Sequence, residues 1–218
     1  MVRSLVVAAL TAVAASCAPG GGPPSTPSPS TPSPPAGGAL VVSPGPGWSP
    51  SGGLEGPVPA PGSCHVVGPP SLARPDPACT PGAVDADVTQ ADLATTVCRR
   101  GGDTDSVRPP EAMTESFKYV ALRAYGERAP VSAYELDHLV PLELGGSSDT
   151  RNLWPELDDH PAPGVANSKD LVEDRLHDLV CAAAKGGPGL PLASAQALVA
   201  ADWTTALQRA EALLVAKT

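Results

Sequence analysis

Apolar residues recur at helical spacing in four stretches of the chain after residue 88. The first stretch opens at Thr89 and carries Asp92 three residues later, an arrangement typical of a helix cap. The second begins at Pro110 and stops at Gly126, as the positional preferences of proline and glycine indicate. The last is rich in alanine, and we expect a break near Asp202. We therefore predict helices over residues 89–98, 110–126, 167–183 and 193–216.

The pattern changes between the second and third helices, where short apolar runs surround a proline and a Gly-Gly pair. The run YELDHLVPLEL spans residues 134–144, and Gly145-Gly146 follows it. We predict the two short strands of a hairpin around residues 135–154, with a loop over residues 155–164. Helices gathered around one small hairpin make an α+β domain that is mostly helical.

The first 16 residues have the layout of an export signal peptide. Arg3 gives a positive start, and residues 5–15 form an apolar run that is shorter than the ~20 residues of a permanent membrane helix. Small residues directly before Cys17 resemble the lipobox of bacterial lipoproteins, in which the signal is cut before a cysteine that becomes acylated. This predicts an exported protein, lipid-anchored through Cys17 to the outer face of the cell membrane. The alternative is an ordinary signal peptide cut near Ala18, which would give a secreted protein.

Residues 17–63 are dominated by proline, glycine, serine and threonine. Such a composition buries too little apolar surface to offset the entropy cost of ordering the chain. We predict a disordered tether between the anchor and a folded domain that covers residues 64–218. A polyproline II ligand for a partner is the alternative role of this tract.

Four cysteines remain once Cys17 is set aside, and in an exported chain they indicate two disulfides. Three pairings are possible. We favour Cys98–Cys181, because both residues lie near the ends of predicted helices, which leaves Cys64–Cys79 as the second bridge. Because the chain has no C-x-x-C spacing, a structural zinc site is the weaker interpretation.

The candidate chemistry lies in the hairpin, at Asp137 and His138. A carboxylate can hold a hard divalent cation, and an imidazole can deprotonate an attacking water near neutral pH. Neighbouring residues on a regular strand point to opposite faces, so both side chains can address one site only at a bulge or a strand end. Asn152, on the opposing strand, can hydrogen-bond the backbone or the imidazole and so hold the hairpin.

The sequence D-H-x-x-P, G-G and N-L resembles the HNH endonucleases of the ββα-metal, or His-Me finger, superfamily. The resemblance covers a motif core of residues 134–181; over a longer span the chain is similar to exported bacterial HNH-like proteins. It implies a ββα-metal hairpin in which Asp137 binds metal, His138 is the general base and Asn152 stabilises the finger. It also implies a divalent metal cofactor. Oxygen ligands favour Mg²⁺, with Mn²⁺ and Zn²⁺ as alternatives.

The third metal ligand of the family usually stands on the helix, but the matching position here is Ala166, which cannot ligate. Asn167 is one substitute. Lys169, Glu173 and His177 are another solution, because their i, i+4 and i+8 spacing places them within an arc of about 80°. Glu173 or His177 would then complete the metal site, and Lys169 would contact a phosphate oxygen. The alternative is a solvated Lys–Glu pair beside a surface histidine.

Charge bears on the choice of function. The chain carries a formal net charge of −9, and from Cys79 onward 12 basic residues stand against 21 acidic ones. Because nucleic-acid binding relies on Lys and Arg, this balance weighs against tight binding of long polyanions. The first hypothesis is metal-dependent hydrolysis of DNA or RNA at the cell surface. The second is a non-catalytic surface lipoprotein whose HNH fold binds a protein or an envelope polymer. The sequence identifies no protein partner.

Overall fold

The computed structural model describes residues 39–102, 104–160 and 165–216, and the chain divides into units of residues 1–33 and 34–218. Every described residue belongs to the second unit. The predicted signal peptide, the lipidation site Cys17 and the first part of the predicted tether lie outside the described residues. Within the described part, no helix is long and apolar enough to span a bilayer.

The second unit combines helices with three small two-stranded sheets, which confirms the predicted α+β class. Its strands are β1 (Val41–Ser43), β2 (Trp48–Ser49), β3 (Gly53–Leu54), β4 (Ala83–Asp85), β5 (Tyr134–His138) and β6 (Leu153–Leu157). Its α-helices are α1 (Thr104–Val107), α2 (Glu111–Tyr125), α3 (Ser168–Ala184) and α4 (Leu192–Val215).

The helix predicted over residues 110–126 is α2. It starts after Pro110 and ends where Gly126 adopts the left-handed conformation, at φ 69°. A residue with a Cβ would be strained there, so this glycine terminates the helix. Phe117 and Ala121 are buried on the inner side of α2.

The third and fourth predicted helices are also present, as α3 and α4. Asn167 caps α3 in a reciprocal capping box with Asp170. The expected break in α4 lies at Asp202, whose backbone is extended at φ −170° and ψ 96°. The Asp202 carboxylate accepts hydrogen bonds from the Thr204 backbone N–H and hydroxyl, which compete with helical hydrogen bonds.

The helix predicted over residues 89–98 is wrong, because this segment forms a series of turns. The side chain of Asp92 does bind the backbone and hydroxyl of Thr89, as the cap pattern indicated. However, the Asp92 carbonyl accepts hydrogen bonds from the backbone N–H and hydroxyl groups of both Thr95 and Thr96. These threonine bonds offer the backbone an alternative to a regular helix.

The predicted tether extends too far, because the folded unit already includes residues 41–54. Strand β1 pairs in parallel with β4, and β2 and β3 form a small antiparallel ladder. The turn before β2 touches the loop between β5 and β6, where the Ser148 N–H donates to the Pro46 carbonyl at 2.7 Å. Gly47 has φ +78°, and a Cβ there would lie 2.2 Å from the Asp149 nitrogen. Here the proline and glycine residues form turns rather than a flexible tether.

Strands β5 and β6 pair in antiparallel orientation, and α3 follows them after a loop. Their register places Glu135 opposite Glu156, and Asp137 opposite Trp154. The main hydrophobic core lies between α3, α4 and the turns before α1, with Leu176, Val199 and Trp203 among its buried residues. The preferred pairing of cysteines is observed: the structure contains the disulfides Cys64–Cys79 and Cys98–Cys181.

Candidate functional site

Asp137 lies at the centre of the polar side chains on one face of the hairpin. Its carboxylate accepts a hydrogen bond from the Trp154 indole N–H at 2.6 Å. The Lys169 ammonium lies 2.8 Å from Oδ2 and 3.0 Å from Oδ1. Asp137 itself is only 8 % exposed, so these partners offset the cost of burying its charge.

Lys169 reaches this face from the first turn of α3 and has no exposed surface. Its ammonium donates to Asp137, to the His138 backbone carbonyl at 2.9 Å, and to Glu173. Although burial lowers the pKa of Lys169, the charges of the surrounding carboxylates, Asp137 foremost, raise it above its ordinary value. The alternative of a solvated Lys–Glu pair is therefore wrong. An ammonium has three protons, so a phosphate contact by Lys169 would require one of these bonds to break.

Two further carboxylates share this face of the hairpin, and neither was predicted to belong to the Asp137 site. Ligand atoms of Glu135, Asp137 and Glu156 lie within 4.8 Å of one another, close enough to bind a single metal ion. Glu156 is 4 % exposed, and its Oε2 has no hydrogen-bond partner. The cross-strand register, which no local sequence pattern encodes, brings the group together by placing Glu135 opposite Glu156.

The carboxylates of this face are costly to ionise together. Burial raises the pKa of Glu156 to about 10, and the charge of Asp137 adds to the effect. Burial also raises the pKa of Glu173 to about 8, against the opposing charge of Lys169. Burial is also the main cause that raises the pKa of Glu135. An added positive charge beside these groups would therefore favour their ionised forms.

Asn167, one of the possible third ligands, links the start of α3 to the same face. Its Nδ2 donates to the Glu135 carboxylate at 2.8 Å, and its Oδ1 accepts from the Asp159 backbone N–H at 3.1 Å. Asn167 also caps α3, as described above. In this arrangement it orients a neighbouring carboxylate.

His138 ends β5, and its ring takes a different direction from the Asp137 carboxylate. The ring Nε2 lies 2.9 Å from the hydroxyl of Ser148, in the loop before β6. Burial lowers the pKa of His138 to about 4; Asp137 opposes this effect, whereas Arg108 and Lys169 reinforce it. The ring is therefore neutral at neutral pH, which is the form that can accept a proton.

Asn152 holds together the segment between the two strands. Its Oδ1 accepts from the backbone N–H groups of Val140 and Ala83, at 2.9 and 3.2 Å. Its Nδ2 donates to the carbonyls of Val140 and Ser147, at 2.9 and 2.8 Å. All the hydrogen bonds that the amide can make are therefore directed at backbone. Asn152 acts as a positioning residue for the loop that carries Ser148.

His177 does not join Asp137. Its Nε2 lies 2.9 Å from the Val97 carbonyl and 3.3 Å from the Cys181 sulfur. Among the described residues, no group of three potential metal ligands contains both His177 and Asp137. His177 is grouped instead with Cys98 and Cys181, whose sulfurs are bonded to each other and are not available as thiolates. The expectation that His177 completes the Asp137 site is therefore wrong.

The arrangement offers a cluster of hard oxygen ligands on one face of β5 and a neutral imidazole at the end of the same strand. No family model matches the chain, and comparisons with curated proteins and with solved structures likewise find no match.

Proposed function

We propose that the protein is an exported, metal-dependent nuclease that hydrolyses phosphodiester bonds of DNA or RNA, anchored to the cell surface through Cys17. The observation that carries the proposal is the junction at the end of β5. There, Asp137 belongs to a group of three carboxylates within 4.8 Å, and the next residue is a neutral His138. The antiparallel β5–β6 pair followed by α3 agrees with the HNH-like finger that the motif resembles.

Phosphodiester hydrolysis requires charge neutralisation at the phosphate and a proton acceptor for the attacking water. Asp137 would hold a divalent cation, which supplies the neutralising charge when bound. Glu173 would bind the same ion only after its ion pair with the Lys169 ammonium had broken. A cation of this kind suits oxygen ligands, as Mg²⁺ and Mn²⁺ do.

His138 would take the proton of water at Nε2, the atom that lies next to Ser148. The Ser148 hydroxyl would turn aside, or it would accept a hydrogen bond from the same water. Because a bound phosphate is negative, its arrival would raise the pKa of His138 toward the range of an effective base. The exposed Arg108, whose charge already acts on His138, would contribute a positive group to that phosphate.

The different directions of the two side chains restrict where a substrate can lie. The Asp137 carboxylate faces α3, whereas the His138 ring faces the loop before β6. A single phosphate can reach both only at the C-terminal end of β5, where the alternation of the strand ends. We therefore place the scissile phosphate there.

One observation favours the second hypothesis, a non-catalytic surface protein with this fold. The Lys169 ammonium already binds both oxygens of Asp137, so the charge of this carboxylate is partly compensated without a metal. The acidic balance of the chain points in the same direction. In this case the buried cluster would be structural, and the binding surface would lie elsewhere.

Cleavage of plasmid DNA and of single-stranded DNA and RNA separates the two hypotheses. The purified, disulfide-bonded protein is incubated with each substrate and Mg²⁺, Mn²⁺ or EDTA. We expect cutting with metal that falls at least a hundredfold in His138→Ala, the usual effect of losing a general base.

His65→Ala is the matched control, because the side chain of His65 is 78 % exposed and its ring lies 3.6 Å from Asp76, which is outside the proposed site. It should cut at the wild-type rate. If the folded protein cuts none of the substrates with any metal, or if His138→Ala cuts as fast as His65→Ala, the nuclease proposal fails.

A further inference from the structure

The face shared by β5 and β6 carries more carboxyl groups than its one ammonium could compensate if all of them were ionised. The carboxylates of Asp137, Glu156 and Glu173 act on Lys169 from close by, and Glu135 adds a fourth. Ionisation of all four carboxyl groups would leave an excess of negative charge beside Lys169 in a buried region. Such an excess is relieved either by protons or by a further cation.

The oxygens of this cluster differ in how many partners they have. A carboxylate can accept about four hydrogen bonds. The Trp154 and Lys169 bonds to Asp137 leave Oδ1 with a single donor, the ammonium. Asn167 binds Glu135 at Oε1.

The Glu156 side chain is the independent sign of a missing partner. It is 96 % buried, Oε2 accepts no hydrogen bond, and the side chain lies within the same 4.8 Å group as Glu135 and Asp137. A buried oxygen without a donor costs about 1–3 kcal/mol, so proteins rarely keep one without a ligand.

We propose that Glu135, Asp137 and Glu156 together bind one hard divalent cation, with Lys169 retained beside it as a fixed positive charge. The inference rests on the proposed function only in taking Asp137 as a metal ligand. The sequence had suggested further metal ligands on helix α3. In this inference the two other ligands come from the strands instead, Glu135 from β5 and Glu156 from β6. Glu173 and Lys169 then hold the ligand face from the helix.

The chemistry of the ligand set selects the class of ion. All three ligands are carboxylates, which suit Mg²⁺, Mn²⁺ and Ca²⁺. Zinc prefers imidazole and thiolate, but His177 and the sulfurs of Cys98 and Cys181 are engaged with one another. Protein sites ordinarily bind Zn²⁺ more tightly than Mn²⁺. We expect this preference for Zn²⁺ to be reduced at this site.

The experiment measures metal binding by the full protein in the absence of any nucleic acid. The thermal midpoint is recorded after EDTA treatment and then during titration with Mn²⁺. Tb³⁺ luminescence gives a second readout, because the Trp154 indole lies 2.6 Å from Asp137 and can transfer energy to a bound Tb³⁺. The variants are Glu135→Gln and Glu156→Gln, which preserve shape and remove one charge each.

Glu211→Gln, on the exposed side of α4, is the matched control. We expect Mn²⁺ to raise the midpoint of the wild-type protein and of Glu211→Gln, and Tb³⁺ to give tryptophan-sensitised emission in both. In Glu135→Gln and Glu156→Gln the Mn²⁺ affinity should fall at least tenfold. Their metal-free midpoints should stay equal to or above that of the wild type, which shows that they fold.

Two results would overturn the inference: a folded wild-type protein that binds neither ion, or Mn²⁺ affinity that is equal in the wild type and in both hairpin variants. These results are separable from failure of the nuclease proposal. Metal binding that depends on Glu156, without any cleavage, would support the proposed metal site and contradict the nuclease proposal. Metal-dependent cleavage by a protein whose Mn²⁺ affinity is unchanged in Glu135→Gln and Glu156→Gln would support the nuclease proposal and contradict the proposed metal site.

Discussion

The ammonium of Lys169 lies 2.8 Å from Oδ2 of Asp137, in a position with no exposed surface. This ion pair joins helix α3 to strand β5 and also binds the His138 carbonyl. Because both charges are buried, removing one partner leaves the other without compensation, which is far more costly than losing a surface pair. The pair is therefore the main electrostatic link between the helix and the hairpin.

Replacement of Lys169 by methionine should destabilise the protein severely at pH 8. The change leaves the buried carboxylates of Asp137 and Glu173 without their shared cation, at a cost of about 3–5 kcal/mol. Urea unfolding followed by circular dichroism measures the loss. Lys185→Met, at an exposed position after α3, should change the free energy of unfolding by less than about 0.5 kcal/mol. Equal stability of the two variants would contradict the role of the ion pair.

Glu156→Gln should stabilise the metal-free protein in a pH-dependent way. Burial raises the pKa of Glu156 to about 10 in the folded state, so its stabilising proton is fully present below the ordinary pKa near 4.5. That contribution is lost as the pH rises from 4.5 through 10. The variant has no such proton to lose, so its advantage over the wild type should grow from none at pH 4 by up to about 1.4 kcal/mol for each pH unit between 4.5 and 8.

The measurement is urea unfolding in EDTA across this pH range, with Glu211→Gln as the exposed comparison. A constant difference between Glu156→Gln and the wild type from pH 4 to pH 8 would show that Glu156 ionises normally in the folded protein.

Asn152→Ala should cost about 2–4 kcal/mol, because four buried backbone groups lose their hydrogen-bond partner. Asn152→Asp is the informative companion. It keeps the acceptor for Val140 and Ala83 but loses both donated hydrogen bonds and adds a buried charge, so it should also destabilise. Thermal unfolding measures both variants. If either one unfolds at the wild-type midpoint, Asn152 does not hold the loop before β6.

Gly47→Ala tests whether residues 41–54 belong to the folded unit. The new Cβ would meet the Asp149 nitrogen at 2.2 Å, and alanine is strained at φ +78°. We expect a loss of at least about 2 kcal/mol and faster proteolysis between residues 40 and 60. Gly45→Ala is the control, because no atom lies within 4 Å of a Cβ there and its φ is not in the left-handed region. If Gly47→Ala is as stable as Gly45→Ala, this segment contributes nothing to the fold.

The sequence alone was sufficient for the elements that depend on local signals. Gly126 ends α2 and Asp202 interrupts α4, and each acts through its own backbone or nearest neighbours. Two short strands, β5 and β6, lie where the apolar runs predicted strands, and the pairing of cysteines was anticipated from their places along the chain. The prediction of a tether from composition was wrong where proline and glycine form ordered turns, as at Gly47. Amino-acid composition alone does not distinguish an ordered turn from a flexible tether.

The geometry of the candidate site was decided only by the tertiary structure. The register of β5 and β6 brings Glu135 and Glu156 together across a separation of 21 residues, and no local pattern encodes that register. The direction of α3 buries Lys169 against Asp137 and places His177 beside a disulfide, although the helical spacing put both on one stripe. Periodicity determines which face a residue occupies, but the packing of that face determines which charges meet. For this protein, the sequence therefore identified Asp137 and His138 as the candidate site, and the fold decided which side chains surround them.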